Sequence, residues 1–400
     1  MFQLNSISKA ALQIGRSQPA VSQALVSLEN TFGASLFFRS TTGIVATKPA
    51  HVIYQRVNRA LIKIDQFFGE LANSSASVPK NVSLHITMTH LSTIKAISEA
   101  GGMSAGAVHA NKSNASVQKA ARSLEETIGV KLFERTSFGV KLTSVALQIA
   151  QISALLEREL ELALSEIAAL NNRERGNTIV GALPMARSYI VPKAITLFKG
   201  VHPDHDISIV EGPYEFLAHG LLSGKIDMLI GASRVNSEEL GIAEEPLISE
   251  DVVLILSPAH PLMAVKTITL NHLSDFPWVI PRKSSPLRKT LEDLFAKLPS
   301  RPTNIVECNC LSSSRTMLEN SPSLMLLSAA QAYYELKTKA LISRTIEGFD
   351  AQRTISIQTR QDSQLTATQR QLVMYLKRVA YIQAHENLES VYQTGISQAV

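Results

Sequence analysis

The 400-residue chain is 45% hydrophobic and only 18% charged, a composition typical of a folded protein that excludes an intrinsically disordered one. It is long enough for two or three domains, each with its own core. No apolar stretch reaches the ~20 residues that span a bilayer, and the N-terminal segment MFQLNSISKA is too polar for a secretory signal. We therefore expect no membrane partner, and we expect the cytoplasm as the compartment.

The net charge of +5 is concentrated in the front part of the chain. Residues 1–72 carry seven basic and three acidic side chains, a net +4, and residues 84–143 carry seven and four, a net +3. The rest of the chain is therefore slightly acidic. A basic segment on a near-neutral body is typical of a protein that binds a polyanion, although a basic solvated face gives the same numbers.

One pattern occurs twice in the chain, 96 positions apart and without a gap. Residues 17–47 read SQPAVSQALVSLENTFGASLFFRSTTGIVAT, and residues 113–143 read SNASVQKAARSLEETIGVKLFERTSFGVKLT. Thirteen of these 31 aligned positions are identical, whereas unrelated segments would share roughly two. The pattern is therefore a duplicated module, and its role decides the role of the front half.

The predicted elements of the first copy are two short helices and a hairpin. Residues 7–15 (ISKAALQIG) predict a helix that ends at Gly15. Ser17 is a strong N-cap and Pro19 suits the first turn, so residues 17–33 predict a second helix. Two short helices joined by a tight turn form a helix-turn-helix. The segments about Gly43 and Gly139 each predict two short strands, which form a small wing.

The N-terminal end of the second helix of such a motif enters the major groove of DNA. Glutamine and asparagine bind adenine edges, serine binds bases or phosphates, and arginine and lysine bind phosphates or guanine. The DNA contacts predicted in the first copy are Arg16, Ser17, Gln18, Pro19, Ala20, Ser22, Gln23 and Arg39. Those predicted in the second copy are Lys112, Ser113, Asn114, Ser116, Lys119, Arg122 and Arg135.

The run SKAA…SQPAVSQ…LE…G…LF.R…G…T resembles the winged helix-turn-helix of the LysR-type transcriptional regulators. The resemblance implies a DNA-binding regulator, not an enzyme, that needs no cofactor. It implies double-stranded operator DNA, a second copy of the chain and RNA polymerase as partners. It favours activation over repression. The alternative function is a ligand-binding or protein-interaction module whose DNA-binding repeats have decayed.

The two copies differ in ways that bear on DNA reading. Residues 91–102 (LSTIKAISEAGG) predict, before the second copy, the helix that comes first in the family's module. At the 96-residue offset Met1 aligns with Ile97, so the first copy lacks nearly all of that helix. The first copy is then unstable alone, borrows a helix, or has its true start upstream. The second copy lacks the proline of SQPAVS, so it reads a different sequence or is purely structural.

Two long helices are predicted behind the wings, at residues 51–71 and 144–170. Residues 72–80 (ANSSASVPK) predict a flexible linker between the copies. The helix 144–170 is apolar on much of its circumference and should pair with another helix. In the family this helix pairs with its counterpart in a second chain, so we expect a dimer or tetramer.

From residue 177 onward, short apolar strands alternate with helices over NTIVGALP, IVPKAITLFKGV, DISIVEGPY, FLAHGLLSG and IDMLIGAS. This series predicts a parallel sheet with crossover helices. A second α/β lobe is predicted over VVLILSPAHPL, PWVIP, SSPLRKTLEDLFAKL, NIVECNCL, SSSRTMLEN and SLMLLSA. Two such lobes resemble the periplasmic-binding-protein fold of the LysR effector domain.

The predicted fold class is therefore mixed, with two tandem, α-rich winged helix-turn-helix modules and a two-lobed α/β effector domain. The first module takes residues 1–50, and a helix and linker take residues 51–83. The second module takes residues 84–143, the dimerisation helix residues 144–172 and the effector domain residues 173–400.

Ligands of α/β sheets bind at the carboxyl ends of the strands. Those ends supply hydroxyls, helix N-terminal N–H groups and two arginines, Arg187 and Arg234, which suit an effector with a carboxylate or several hydroxyls. The phrases EGPY…GLLSGKIDMLIGASR and FPWVIP resemble the branch of the family that senses aromatic acids or sugars. The predicted effector residues are Pro184, Met185, Ala186, Arg187, Ser188, Tyr214, Ala232, Ser233, Ser284, Ser285, Ser312 and Ser328.

Other patterns are poor evidence for an enzyme or a metal site. Residues 102–106 (GMSAG) match the G-x-S-x-G of hydrolases, but no strand is predicted before them. His202 and His205 have metal-like spacing, which a solvated, Pro-containing turn explains better. Cys308 and Cys310 are too few for a structural zinc, so packed thiols are expected, with a redox or metal role as the alternative. The sequence contains neither common phosphate-binding glycine loop.

Overall fold

A computed structural model of the chain describes residues 1–2, 4–40, 43–74, 78–79, 82, 85–137, 139–170 and 175–396. Of the linker predicted at residues 72–80, residues 72–74 belong to the helix Lys48–Ser74, and residues 75–77 and 80 lie outside the described residues. The chain divides into two compact units. The first unit contains Met1–Asn177, Asp204–Asp206 and His219–Ile226, and the second contains Thr178–Pro203, Ile207–Ala218 and Asp227–Val400.

Among the described helices, none combines the length and the hydropathy that a membrane span requires.

The first unit consists of helices and two hairpins. Its helices are α1 (Ile7–Gln13), α2 (Gln18–Phe32), α3 (Lys48–Ser74), α4 (Met88–Ala100), α5 (Met103–His109), α6 (Asn114–Ile128) and α7 (Ser144–Leu170). Its strands are β1 (Phe37–Ser40), β2 (Gly43–Ala46), β3 (Phe133–Thr136) and β4 (Gly139–Leu142). β1 pairs with β2 and β3 with β4, both antiparallel. Every element from α1 to α3 recurs 96 positions later, as α5 to α7, with equivalent first and last residues.

The repeated helices begin and end with the same chemistry. The hydroxyls of Ser17 and Ser113 cap α2 and α6 by accepting the N–H three residues onward, at 3.4 and 3.2 Å. Gly33 and Gly129 end these helices at φ values of 60° and 70°, a left-handed conformation that glycine adopts without strain. The caps predicted from the sequence are therefore present in both copies.

A glutamate at equivalent positions of the two copies holds each hairpin to its helix. Oε1 of Glu29 accepts the N–H of Leu36 at 2.7 Å, and Oε1 of Glu125 accepts the N–H of Leu132 at 2.8 Å. A carboxylate that accepts a backbone N–H makes one of the stronger hydrogen bonds in a protein. Glu29 and Glu125 therefore have the same structural role in the two copies.

The two long helices of the first unit pack against each other in antiparallel orientation. Ile53, near the beginning of α3, shares a buried cluster with Ile167, near the end of α7. Phe68, near the end of α3, shares a second cluster with Ile149, near the beginning of α7. Within the chain, α3 is therefore a partner helix for the apolar surface of residues 144–170.

A buried group of charges lies between the two long helices. Arg56 of α3 is 1% exposed, and its Nη1 and Nε donate to Glu159 and Glu166 of α7 at 3.0 and 2.8 Å. Arg59 adds a contact of 3.1 Å to Glu159. Burial lowers the pKa of Arg56, but the two carboxylates more than offset this effect and the pKa lies above its ordinary value. The charges are therefore mutually satisfied.

α4 has no helical equivalent among the described residues before α1. It packs on α6, where the fully buried Leu124 clusters with Ile94 of α4. The equivalent of Leu124 in the first copy is Leu28, which is 40% exposed. Before α1, the ring of Phe2 instead stacks on Tyr54 with 4.1 Å between centroids. The first copy therefore has a less complete core than the second.

The rest of the chain is an α/β structure. Its strands are β5 (Gly176–Ala182), β6 (His205–Val210), β7 (Met228–Ala232), β8 (Ile242–Leu256), β9 (Trp278–Ile280), β10 (Ile305–Glu307), β11 (Met325–Ser328), β12 (Ile342–Arg344) and β13 (Gln352–Arg360). Its α-helices are α8 (Pro184–Arg187), α9 (Ile190–Lys199), α10 (Tyr214–Leu222), α11 (Pro286–Phe295), α12 (Leu311–Glu319), α13 (Tyr333–Lys337) and α14 (Ala367–Ile396).

The main sheet is mixed. Its strand order is β11-β8-β13-β7-β5-β6, and β12 also pairs with β8. β5 and β7 are parallel, as predicted for their series of strands, but β13 runs antiparallel to both β7 and β8. β13 comes from residues for which no element was predicted, and it inserts between two strands that were predicted.

The second unit has two lobes, as predicted. One hydrophobic core surrounds β7 and α9 and contains Ile230, and another surrounds β9 and α11 and contains Trp278. β8 is 15 residues long and supplies side chains to both cores, Ile248 to the first and Leu254 to the second. The lobes are therefore joined by a continuous strand.

The unequal cores of the two copies give a stability prediction. We expect Leu124→Ala to lower the free energy of unfolding by about 2–5 kcal/mol, because it leaves a cavity beneath α4. Leu28→Ala, at the equivalent but exposed position, should cost less than about 1 kcal/mol. Urea unfolding followed by circular dichroism measures both variants. Equal losses would contradict the view that α4 completes the core of the second copy alone.

Candidate functional site

The residues predicted to contact DNA lie at the N-terminal ends of α2 and α6. These helices begin at Gln18 and Asn114, directly after their serine caps. In the first copy the predicted side chains on and before α2 are exposed, except for the half-buried Ser22. In the second copy those on and before α6 are all exposed. The side chains of Arg39 and Arg135, on the hairpins, lie outside the described residues.

The two helix ends present different hydrogen-bonding groups. Oε1 of Gln18 accepts the hydroxyl of Ser8 at 3.0 Å, which orients the glutamine amide. At the equivalent place α6 has the shorter Asn114, and where α2 has Gln23 it has Lys119. The first end therefore offers the amides of Gln18 and Gln23, and the second offers the amides of Asn114 and Gln118 together with the positive charge of Lys119.

The second unit contains a cavity of about 290 Å³, near the lower end of the range for small-molecule sites. Its walls come mainly from the segments that follow the carboxyl ends of strands, as expected for an α/β sheet. Eight of the predicted effector residues line it, namely Pro184, Met185, Arg187, Tyr214, Ala232, Ser284, Ser285 and Ser328.

Four of the predicted effector residues lie outside the lining of the cavity. Ala186 is fully buried in the core of the first lobe. Ser188 follows the last residue of α8, and Ser233 donates its N–H to a carbonyl of β13. The hydroxyl of Ser312 contacts a neighbouring thiol. Successive residues point in different directions, so a run of residues chosen from the sequence includes some whose side chains face away from the cavity.

Several lining residues were not predicted from the sequence. Arg282, Asn309 and Gln331 come from loops, and Arg353 comes from β13. The alternating pattern of residues 352–360 (QRTISIQTR) is the signal that identifies β13, and with it Arg353.

The cavity is electropositive. Its lining carries four arginines and one acid, which are Arg187, Arg234, Arg282, Arg353 and Glu215. The guanidinium of Arg234 lies 4.2 Å from the ring centroid of Tyr214, and its buried Nε has no hydrogen-bond partner among the described residues. Burial lowers the pKa of Arg234, and burial together with the charge of Arg234 lowers that of Arg353. Two such guanidinium groups favour an anion beside them.

The beginning of α11 adds to the positive potential. Ser284, Ser285 and Pro286 all line the cavity, and the side chain of the N-cap Ser285 makes no capping hydrogen bond. The first N–H groups of a helix and its dipole both favour an anion. Arg187 is partly compensated by Glu211 at 3.4 Å. The arrangement therefore suits a small ligand with a carboxylate.

The two cysteines form no disulfide, and they are not equivalent. Cys308 lines the cavity, whereas Cys310 is exposed and not packed as predicted. Cys310 follows the end of β10, outside the hydrophobic cores. Hydrogen bonds from Ser312 and Ser313 lower the pKa of Cys310 to about 6.

The histidine pair is buried, so the prediction of a solvated turn was wrong. His202 and His205 are 4% and 2% exposed. His202 packs on Phe198 with 4.6 Å between ring centroids and hydrogen-bonds to Gln371 of α14. Within the described ranges, no three His, Cys, Asp or Glu side chains are grouped so that they could hold a metal ion. Ser104 lies in α5 directly after a helix, so the G-x-S-x-G match lacks the strand that a hydrolase requires.

A buried carboxyl group lies behind the cavity. Glu250 of β8 is 5% exposed and accepts the N–H of Ala330 at 2.8 Å and the side-chain amide of Gln383 at 3.1 Å. Burial raises its pKa to about 7, although hydrogen bonds from Ala330 and from Ser328, which lines the cavity, oppose the shift. The group therefore changes charge near neutral pH.

Comparison with protein families and curated proteins gives consistent matches. The family model for the LysR substrate binding domain matches residues 171–380. The model for the bacterial regulatory helix-turn-helix protein, lysR family, matches residues 1–51 and 88–147. The HTH-type transcriptional regulator GalR of Pseudomonas putida is 31% identical over 341 residues, which are 85% of this chain and 84% of GalR. These relatives are transcriptional regulators, not enzymes.

Solved structures share the fold. A full-length OxyR variant from Pseudomonas aeruginosa matches with a TM-score of 0.55 and 21% identity, over 74% of this chain and 95% of OxyR. Full-length CbnR complexed with its target DNA matches with a TM-score of 0.51 and 21% identity, over 74% of this chain and all of CbnR.

The raised pKa of Glu250 gives a prediction of pH dependence. Its folded pKa of about 7 lies above the ordinary value of 4.5, so the folded state holds an extra proton between these values. The resulting stability is complete below pH 4.5 and is lost as the pH rises through 7. Glu250→Gln should remove this loss, on the order of 2–3 kcal/mol between pH 5 and 8.

Urea unfolding at pH 5, 6, 7 and 8 measures the effect of Glu250→Gln. The exposed Glu239→Gln serves as the control and should follow the parent protein. Parallel pH profiles for Glu250→Gln and the parent would show that Glu250 does not titrate in this range.

Proposed function

The chain belongs to the LysR family of DNA-binding transcription regulators, and we propose that it is a ligand-controlled regulator with two DNA-reading modules. The modules are residues 1–50 and 84–143, each a winged helix-turn-helix, and the effector domain is residues 173–400. The observation that carries the proposal is the exposed, serine-capped N-terminal end of a helix, followed by a hairpin, that occurs twice. Double-stranded DNA, a small effector, RNA polymerase and a further copy of the chain are the proposed partners.

Each module reads DNA through the beginning of its second helix. In the first module Gln18 and Gln23 contact adenine edges, while Ser17 contacts a phosphate. In the second module Asn114 contacts adenine, and Lys119 contacts guanine or phosphate. The modules therefore prefer different base sequences.

The proposed effector is a small organic acid bound in the cavity of the second unit. Arg234 and Arg353 hold its carboxylate, because both are half-buried in a cavity wall that carries four arginines and one acid. Ser284 and Ser328 supply hydroxyls to other polar groups. The apolar part of the lining and the ring of Tyr214 favour an aromatic acid over a sugar acid.

The proposed mechanism is a shift between populations of states. An effector that binds more tightly when the two lobes close shifts the protein towards the closed state. The change passes through residues 144–170 to the DNA-reading modules, and activation is the expected outcome. The competing function is a ligand-binding or protein-interaction module whose DNA-binding repeats have decayed. A protein of that kind would not bind DNA, so a DNA-binding measurement distinguishes the two functions.

DNA binding gives the next prediction. Sequences selected from random DNA by the full chain should be bound with an affinity that falls by about 10³ or more between 50 and 200 mM salt, because several phosphates are neutralised. Gln18→Ala should weaken binding to the selected site by about 10- to 100-fold through a lost base contact. Asn30→Ala, exposed near the other end of α2, is the matched control and should bind normally. A gel-shift titration that finds no salt-sensitive binding would favour the competing function.

The effector site gives a separate prediction. Benzoate and gluconate serve as the aromatic and sugar acid probes in calorimetric titrations of the full chain. Arg187→Ala and Ser284→Ala should each weaken binding of the preferred probe at least about tenfold, because the first removes a positive charge and the second a hydrogen-bonding hydroxyl from the lining of the cavity. Ligand-free DNA affinity should stay within a few-fold of the parent.

The exposed Lys283→Ala, next to Ser284 but outside the lining, is the control for these titrations. Undiminished probe binding in Arg187→Ala and Ser284→Ala would place the effector elsewhere. A simultaneous loss of ligand-free DNA binding would show that these residues act on folding.

A further inference from the structure

The two hydrophobic clusters around the long helices are copies of one another with the helices exchanged. The first cluster joins four residues of the first copy to two residues of α7, and these are Phe32, Leu36, Ala50, Ile53, Ala163 and Ile167. The residues 96 positions away form part of the second cluster, and these are Ile128, Leu132, Ala146, Ile149, Phe67 and Leu71. Each module therefore packs on its own long helix and on the far end of the other module's long helix.

An exchange of this kind is the property of a twofold axis. If the copies were related by translation, the second module would need a third long helix to repeat the contacts of the first. Instead α3 and α7 are antiparallel, and each occupies in one cluster the place that the other occupies in the second cluster. Ala60 and Leu156 are equivalent positions in the repeat, and both are buried in one cluster near the middle of the helix pair. The axis therefore passes near the point where these two residues meet.

The charges between the helices favour pairing within one chain. Arg56 of α3 faces Glu159 of α7. In a pair of two α3 helices with the same geometry, Arg56 would face the equivalent of Glu159, which is Lys63. In a pair of two α7 helices, Glu159 would face the equivalent of Arg56, which is Ile152, and would be buried without a partner. In a pair of two α3 helices Arg56 would keep one carboxylate, since the equivalent of Glu166 is Glu70, but it would face Lys63 in place of Glu159. Each alternative therefore loses at least one ion pair that α3 and α7 make with each other, which favours the pairing of α3 with α7.

We propose that one chain supplies both readers of a two-part DNA site whose halves are inverted and unlike. Twofold-related helix-turn-helix modules read half-sites in inverted orientation. In a dimer of identical modules the halves are the same, whereas here the axis is internal and Gln18 is replaced by Asn114 across it. The inference rests on the proposed function, because it requires that both modules contact DNA. A further copy of the chain, joined through other surfaces, then adds another pair of half-sites.

The test uses the full-length protein and the site that it selects from random DNA. The half whose base preference is lost with Gln18→Ala is called A, and the half whose preference is lost with Asn114→Ala is called B. Four duplexes of equal length are compared, namely A with inverted B, A with inverted A, B with inverted B, and A followed by B in the same direction. Binding is measured by fluorescence anisotropy, and the number of chains per duplex by mass photometry.

We expect A with inverted B to be bound at least about tenfold more tightly than the other three duplexes, since each wrong base pair costs about 1–3 kcal/mol. We also expect one chain for each A and B pair. Glu126 is exposed at the position equivalent to Asn30. Glu126→Ala and Asn30→Ala are the controls, and both should preserve the order of affinities.

Two results would overturn the inference while leaving the proposed function intact. One is equal binding of A with inverted A, and the other is that two chains are needed for each bound A and inverted B duplex even when the duplex is in excess, because both show that separate chains supply the two readers. Equal binding of the direct repeat would exclude the twofold arrangement. The absence of any sequence-specific, salt-sensitive binding would instead overturn the proposed function.

Discussion

The ion pairs of Arg56 fix the register on which the arrangement of the DNA-reading modules depends. A hydrophobic seam between two long helices tolerates a slip of one turn, because one apolar side chain replaces another. A buried guanidinium does not, because moving it away from Glu159 and Glu166 leaves its own charge without a carboxylate in a medium of low dielectric. The positions of α2 and α6 relative to each other follow from that register.

Arg56 of the first unit and Arg234 of the second differ in the partners that the fold gives them. Arg56 donates to two carboxylates, and its pKa is raised, so its charge is satisfied by the fold. The half-buried Arg234 has a buried Nε without a partner among the described residues, and its pKa is lowered. A guanidinium that the fold leaves incompletely paired is available to an anion, whereas a fully paired one is not.

The sequence was sufficient for features that depend on local chemistry and insufficient for those that depend on distant contacts. The serine caps, the glycine ends of α2 and α6 and the strands between residues 177 and 233 follow from patterns of a few residues. The pairing of α3 with α7 required contacts across about 100 positions, such as Arg56 with Glu159. The burial of His202 depends on Gln371, which comes from α14 near the C-terminal end of the chain. Arg353 was missed because its strand was missed, although its alternating pattern was visible.

α7 is the one helix that packs against both copies of the repeat. Ala146 and Ile149 of α7 pack beneath the second copy, and Ala163 and Ile167 pack beneath the first. Neither copy can therefore change its position on α7 without changing its position relative to the other copy. The helix is also the segment that leads along the chain towards β5.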